Sequence, residues 1–167
     1  MKDNRNQLTD AIIQWIGSRQ HGYYITLGTQ HFLKSQTDTR LQDCIDDAHP
    51  KVSKLMGFLK EYCYGNTFRS TRDDNLLKCV ISYEVGDSAN QLHAHIVAAH
   101  DGTTDRSCRA INDFITRKWS KLIGLTYRQD EFVHVAPIDV ARDRVWYGTK
   151  QTAFISRWHH VSNISLA

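Results

Sequence analysis

The chain has 167 residues and a formal net charge of +3, with 41% hydrophobic and 23% charged residues. That length suits one domain with a sizeable core, and the ordinary composition excludes fibrous, disordered and membrane-embedded classes. The mild basicity permits a nucleic-acid partner without requiring one, since a local basic face counts for more than the total. Cys44, Cys63, Cys79 and Cys108 lie far apart with no CxxC pair. With no signal-peptide pattern and no bilayer-length apolar run, they are expected to be four reduced thiols in a cytoplasmic protein. No GxxxxGK[ST] motif is present, which argues against an ATPase or helicase.

Leu8, Ile12, Ile13, Trp15 and Ile16 recur at helical spacing and predict an amphipathic helix from about Asn4 to Ser18. Gly22 to Thr29 is aromatic and β-branched and reads as a first strand. Thr37 to Tyr64 is a long helical region that Thr37 or Asp38 can cap. Pro50 interrupts its apolar stripe, which leaves two helices or one kinked helix open. Gly65 to Asn75 is a polar loop carrying Arg69 and Arg72.

Leu77 to Val85 reads as a second strand and Leu92 to His100 as a third. The short polar connection between them, Gly86 to Asn90, makes the pair an antiparallel hairpin. Alternate side chains of a strand share a face, so Leu92, Ala94, Ile96 and Ala98 point one way and His93 and His95 the other. Those two imidazoles start from Cα atoms roughly 6.5–7 Å apart, close enough for one divalent cation. A turn centred near Ser88 and Ala89 sets Glu84 opposite His93 on the same face.

Asp105 to Ile123 is a helix whose buried face is Ala110, Ile111, Phe114, Ile115, Trp119, Leu122 and Ile123. Arg106, Arg109, Arg117, Lys118 and Lys121 decorate the rest, as a solvated face or a phosphate-contacting one. Glu131 to Pro137 alternates as a fourth strand, Asp139 to Thr152 is a short helix, and the tail from Phe154 to Ile164 adds a last strand or covers the core. The order predicts an α+β fold, an antiparallel sheet of about five strands with helices packed on it.

Two constellations carry chemistry. His93, His95 and Glu84 offer two nitrogens and an oxygen, a set that accepts zinc, manganese or cobalt more readily than magnesium and leaves positions open for water and a phosphate oxygen. His100, His134 and Asp87 stand in reserve as ligands. Tyr147 and Lys150 are three apart on the Asp139–Thr152 helix, so a phenol and an ammonium share one face, and the nearby cation favours phenolate.

Tyr24-Ile25-Thr26-Leu27, then His93-Ala94-His95, then Tyr147-Gly148-Thr149-Lys150 follow one another in the order found in HUH endonucleases. The chain most closely resembles their single-tyrosine rolling-circle replication initiators, over about Gly22 to Gln151. Ala94 is smaller than the bulky residue often found between the two histidines. The resemblance implies a single nuclease domain with an RRM/ferredoxin-like sheet over residues 1–167, an N-terminal helix in 1–20, a C-terminal tail in 153–167 and no helicase domain.

The implied activity is nicking and rejoining of single-stranded DNA at an origin or hairpin. The implied cofactor is Mn2+ or Mg2+, with Zn2+ also admissible, held by His93, His95 and Glu84. Tyr147 is the implied nucleophile and Lys150 its helper; Tyr127 or Tyr83 is next should Tyr147 not serve. Arg69, Arg72, Arg106 and Arg109 are candidate phosphate contacts, and Tyr23, Tyr24 or Trp146 could stack on a base. A helicase and a polymerase of a bacterial host carrying a plasmid or phage are the implied partners, with no membrane. The rival readings are a single-tyrosine transposase, a non-catalytic RRM-like binding module and a zinc hydrolase that activates water.

Overall fold

A computed structural model describes residue 10 and residues 21–35, 37–65, 77–86, 90–100, 106–125, 130–138 and 159–160. Its strands are β1 (His21–Phe32), β2 (Lys78–Val85), β3 (Gln91–His100), β4 (Val133–Pro137) and the two-residue β5 (His159–His160). Its long helices are α1 (Leu41–Tyr64) and α2 (Cys108–Leu122), and a 3-10 turn, Asp130–Phe132, leads into β4. The strands form one antiparallel sheet in the order β4-β1-β3-β2-β5, four substantial strands and a short fifth. The fold is α+β. No helix among the described residues is long and apolar enough to cross a membrane.

The sheet divides its residues by alternation. Tyr23, Ile25 and Leu27 of β1, Cys79, Ile81, Tyr83 and Val85 of β2, and Leu92, Ala94, Ile96 and Ala98 of β3 form one core with the helices. Each large side chain of that core contributes roughly 1.5–3 kcal/mol by leaving water. The helices add Ile45, Ala48, Val52, Leu55, Met56 and Leu59 from α1, and Ile111, Ile115 and Trp119 from α2. Phe114 stacks on Tyr62 across the helix pair, with centroids 4.1 Å apart. Gly22 allows the closest backbone approach: a Cβ there would lie 2.5 Å from the carbonyl oxygen of Ala98.

Pro50 lies inside a single helix, which decides the sequence alternative. The lost backbone donor is tolerated because Ala48 and Val52 on either side are buried against the sheet. Asp38 does not cap α1. Its carboxylate accepts from the backbone N–H groups of Lys34 and Arg40, building the turn before the helix, and the helix starts after Arg40. The real side-chain cap is on α2, where Ser107 Oγ accepts from Ala110 N at 3.2 Å. Gly124, with φ +79°, follows the end of that helix in the left-handed region.

Asp10 is helical, and the remainder of the expected N-terminal helix lies outside the described residues. The same holds for the loop with Arg69 and Arg72, for the expected helix with Tyr147 and Lys150, and for most of the tail. The four cysteines are free thiols. Complete burial pushes the Cys79 thiol up to about 12, so it stays protonated and inert at neutral pH.

Candidate metal centre

The second face of the sheet carries the polar residues. Counting along the β2–β3 hairpin pairs Glu84 with His93 and Ser82 with His95. On the other side of β3, Gly28 pairs with His93 and Thr26 with His95. Paired residues share a face, so Glu84, His93, His95, Ser82 and Thr26 cluster away from the helices. One donor atom from each of Glu84, His93 and His95 falls within 4.8 Å of the others. The expected trio and the expected hairpin register are therefore both present.

Burial sharpens the chemistry. Glu84 is 5% exposed and His95 4%, whereas His93 is half-buried. A carboxylate withdrawn this far from water is costly unless positive charge answers it. Nε2 of His95 lies 2.8 Å from Oε1 of Glu84. A divalent cation between the carboxylate and the two imidazoles would answer the charge of Glu84, and the donor set fits one.

Both imidazoles are oriented from behind. Nδ1 of His95 meets the Tyr24 hydroxyl at 2.9 Å and the Thr26 hydroxyl at 3.1 Å. The Tyr24 ring also stacks on it, with centroids 5.7 Å apart and planes 19° from parallel. With the proton on Nδ1, the Nε2 lone pair would be presented to an ion shared with Glu84. Gln91 sets the other tautomer. Its amide N–H donates to the Thr29 carbonyl at 2.5 Å, which turns its oxygen to His93 Nε2 at 3.1 Å. That nitrogen then carries the proton, and Nδ1 of His93 carries the lone pair.

Gln91 fits because β1 bulges beside it. The pairing jumps from Gly28↔His93 to Phe32↔Gln91, so extra residues of β1 loop out over Thr29 to His31. A Cβ on Gly28 would lie 3.2 Å from the Gln91 amide nitrogen. From the helix side, Trp119 Nε1 donates to the Gly28 carbonyl at 2.8 Å and pins this stretch. Sequence reasoning missed Gln91, although its place two residues before His93 put it on the same alternating face. Gln91→Ala is expected to weaken Mn2+ binding about 10–100-fold in titration calorimetry while leaving the unfolding midpoint nearly unchanged.

The other candidates are placed as follows. Tyr24 is 3% exposed, so its ring serves His95 rather than an incoming base. His100 falls on the helix face, against His21 and Tyr23. His134 shares the metal face but pairs with Thr26, two strands and about 10 Å from the cluster. Asp87 lies outside the described residues.

Arg106 and Arg109 belong to the α2 end, across the sheet from the cluster. Arg106 packs 4.5 Å above the Tyr62 ring, and Lys118 packs 4.8 Å above Phe58. These two cations line the aromatic seam between the helices. Tyr83, 1% exposed with its phenol pKa raised by burial, bonds His49 on the helix side and is removed from the nucleophiles considered. No family model, no curated protein and no solved structure matches the chain.

Proposed function

We propose that the chain is a metal-dependent HUH-type nuclease that nicks and rejoins single-stranded DNA through a 5′-phosphotyrosine link to initiate rolling-circle replication. The observation that carries the reading is the Glu84–His93–His95 cluster, gathered within 4.8 Å on the sheet face opposite the helices. The order of the three motifs along the sequence supports it. Both histidines stand on the central strand, each fixed by a partner on its second nitrogen. A rigid bed of that kind suits a site that must hold a phosphate for in-line attack.

His93, His95 and Glu84 would hold Mn2+ or Mg2+, which when bound would supply charge to polarise a phosphate oxygen. Tyr24, Thr26 and Gln91 keep the imidazoles aimed. Tyr147 supplies the nucleophile: its phenolate oxygen bonds to phosphorus, the bond from phosphorus to the 3′-oxygen breaks, and that oxygen leaves as a hydroxyl after taking a proton. Lys150, one helical turn on in the sequence reading, favours the phenolate. One phosphodiester is exchanged for another, so the same site rejoins strands. A replication origin or hairpin in the cytoplasm of a bacterial host is the proposed target, with unwinding and extension by host proteins.

The test is a denaturing gel of wild-type protein incubated with pooled single-stranded oligonucleotides and Mn2+. A slower-migrating covalent adduct is expected, and it should vanish with chelator and in Tyr147→Phe. An adduct that persists in Tyr147→Phe transfers the nucleophile to another residue, Tyr127 first. The cluster by itself also suits a hydrolase that activates water, and turnover without any adduct would establish that reading instead. Cleavage at a mobile-element end rather than at an origin hairpin would identify a transposase.

A further inference from the structure

The metal face continues past Gln91 to an aromatic ring left in water. Phe32 is 59% exposed and is the exposed large hydrophobic side chain among the described residues. It pairs with Gln91, whose side chain bonds His93, so Phe32 lies on the same side of the sheet as the cluster. Strand spacing puts its Cα roughly 8 Å from that of His93. Burial has taken Tyr23 and Tyr24, at 4% and 3% exposure, out of reach of a base.

Beyond Phe32 the chain turns through a shallow concavity lined by Lys34, Ser35, Thr37, Asp38, Thr39 and Arg40. Arg40 joins the two features: its guanidinium reaches the Phe32 carbonyl at 3.5 Å and pairs with Asp38 at 3.0 Å. Lys34 and Arg40 bring two cations against the single carboxylate of Asp38, and three hydroxyls stand among them. An aromatic face beside a cationic, hydroxyl-rich hollow is the chemistry of an unpaired nucleotide: the ring takes the base, and the hollow takes the phosphate.

We propose that Phe32 is a base-stacking platform for a nucleotide of the single-stranded substrate next to the phosphate gripped at the metal centre, with the neighbouring phosphate over Lys34 and Arg40. The inference rests on the nuclease reading and names where its substrate lies. Stacking tolerates every base, so the platform adds affinity for single strands rather than sequence choice. A duplex, with its bases already stacked, gains nothing from it.

The experiment is fluorescence anisotropy of a labelled oligothymidine with the full chain in chelator, so that the metal plays no part. Phe32→Ala is expected to weaken binding about five- to hundredfold, Phe32→Trp to match or exceed the wild type, and Phe32→Leu to fall with alanine. Circular dichroism should show all three folded as the wild type is. Phe32→Ala within twofold of wild type, or Phe32→Leu at full affinity, overturns the platform. Adduct formation that needs Tyr147 while Phe32→Ala binds normally leaves the nuclease reading standing and removes this one. The reverse result, weakened binding in Phe32→Ala with an adduct that survives Tyr147→Phe, keeps the platform and removes the tyrosine assignment.

Discussion

His95→Gln is expected to abolish tight divalent-cation binding, with the Mn2+ affinity falling at least about a hundredfold in titration calorimetry. That exceeds the loss from an orienting partner because a donor itself is removed. His95 is the most constrained of the donors: it is 4% exposed, its Nε2 is 2.8 Å from Glu84, and its Nδ1 is held by Tyr24 and Thr26. Glutamine keeps a polar amide of similar size beside those hydroxyls, so the fold should survive. A ligand at a hundred times its Kd stabilises by about 2.7 kcal/mol, so Mn2+ should raise the melting temperature of the wild type and leave that of the variant unmoved. His100→Gln is the control, because His100 stacks on His21 on the opposite face and should bind Mn2+ as the wild type does. Wild-type affinity in His95→Gln would place the ion elsewhere and dismantle the proposed centre.

Trp119→Ala should cost about 3–5 kcal/mol in denaturant unfolding, a large share of the roughly 5–15 kcal/mol that holds a domain of this size. Trp119 is fully buried where α2 meets the sheet, and its indole N–H is committed to the Gly28 carbonyl at 2.8 Å. Alanine leaves a ring-sized void and strips a buried carbonyl of its donor. Trp119→Phe separates the two effects, keeping most of the packing and losing the hydrogen bond for about 1–2 kcal/mol. Because Gly28 stands opposite His93, the phenylalanine variant should also bind Mn2+ somewhat less tightly while remaining folded. A midpoint shift worth less than about 1 kcal/mol for the alanine variant would show that the sheet does not lean on this ring.

Alternation made the hairpin legible. Strand periodicity alone puts His93 and His95 on one face, and centring the short turn near Ser88 and Ala89 brings Glu84 opposite His93, the register observed. The apolar stripe of α2 was equally plain, since Ile111, Ile115 and Trp119 recur at helical spacing. What escaped depended on contacts between distant segments. Nothing local says that β1 bulges between Gly28 and Phe32, and that bulge decides where Gln91 and Phe32 sit. Tyr24 offered an aromatic ring to either a base or the interior, and only the approach of β3 committed it to His95. Asp38 had the chemistry of a helix cap, but the Lys34 and Arg40 amides claimed its oxygens first. Pro50 could break a helix or be carried within one, and burial on both sides carried it.

Glu84, His93 and His95 all belong to the β2–β3 hairpin, whereas Tyr24 and Thr26 reach His95 across about seventy residues of chain. Chain-closure entropy rises only with the logarithm of the enclosed length, so gathering the three donors exacts little from the unfolded chain. The hairpin thus carries every donor of the proposed centre, and the distant strand contributes aim rather than atoms. An isolated peptide spanning 78–100 would carry every ligand yet grip its ion loosely, and the gap between its affinity and that of the whole chain measures what preorganisation by β1 is worth.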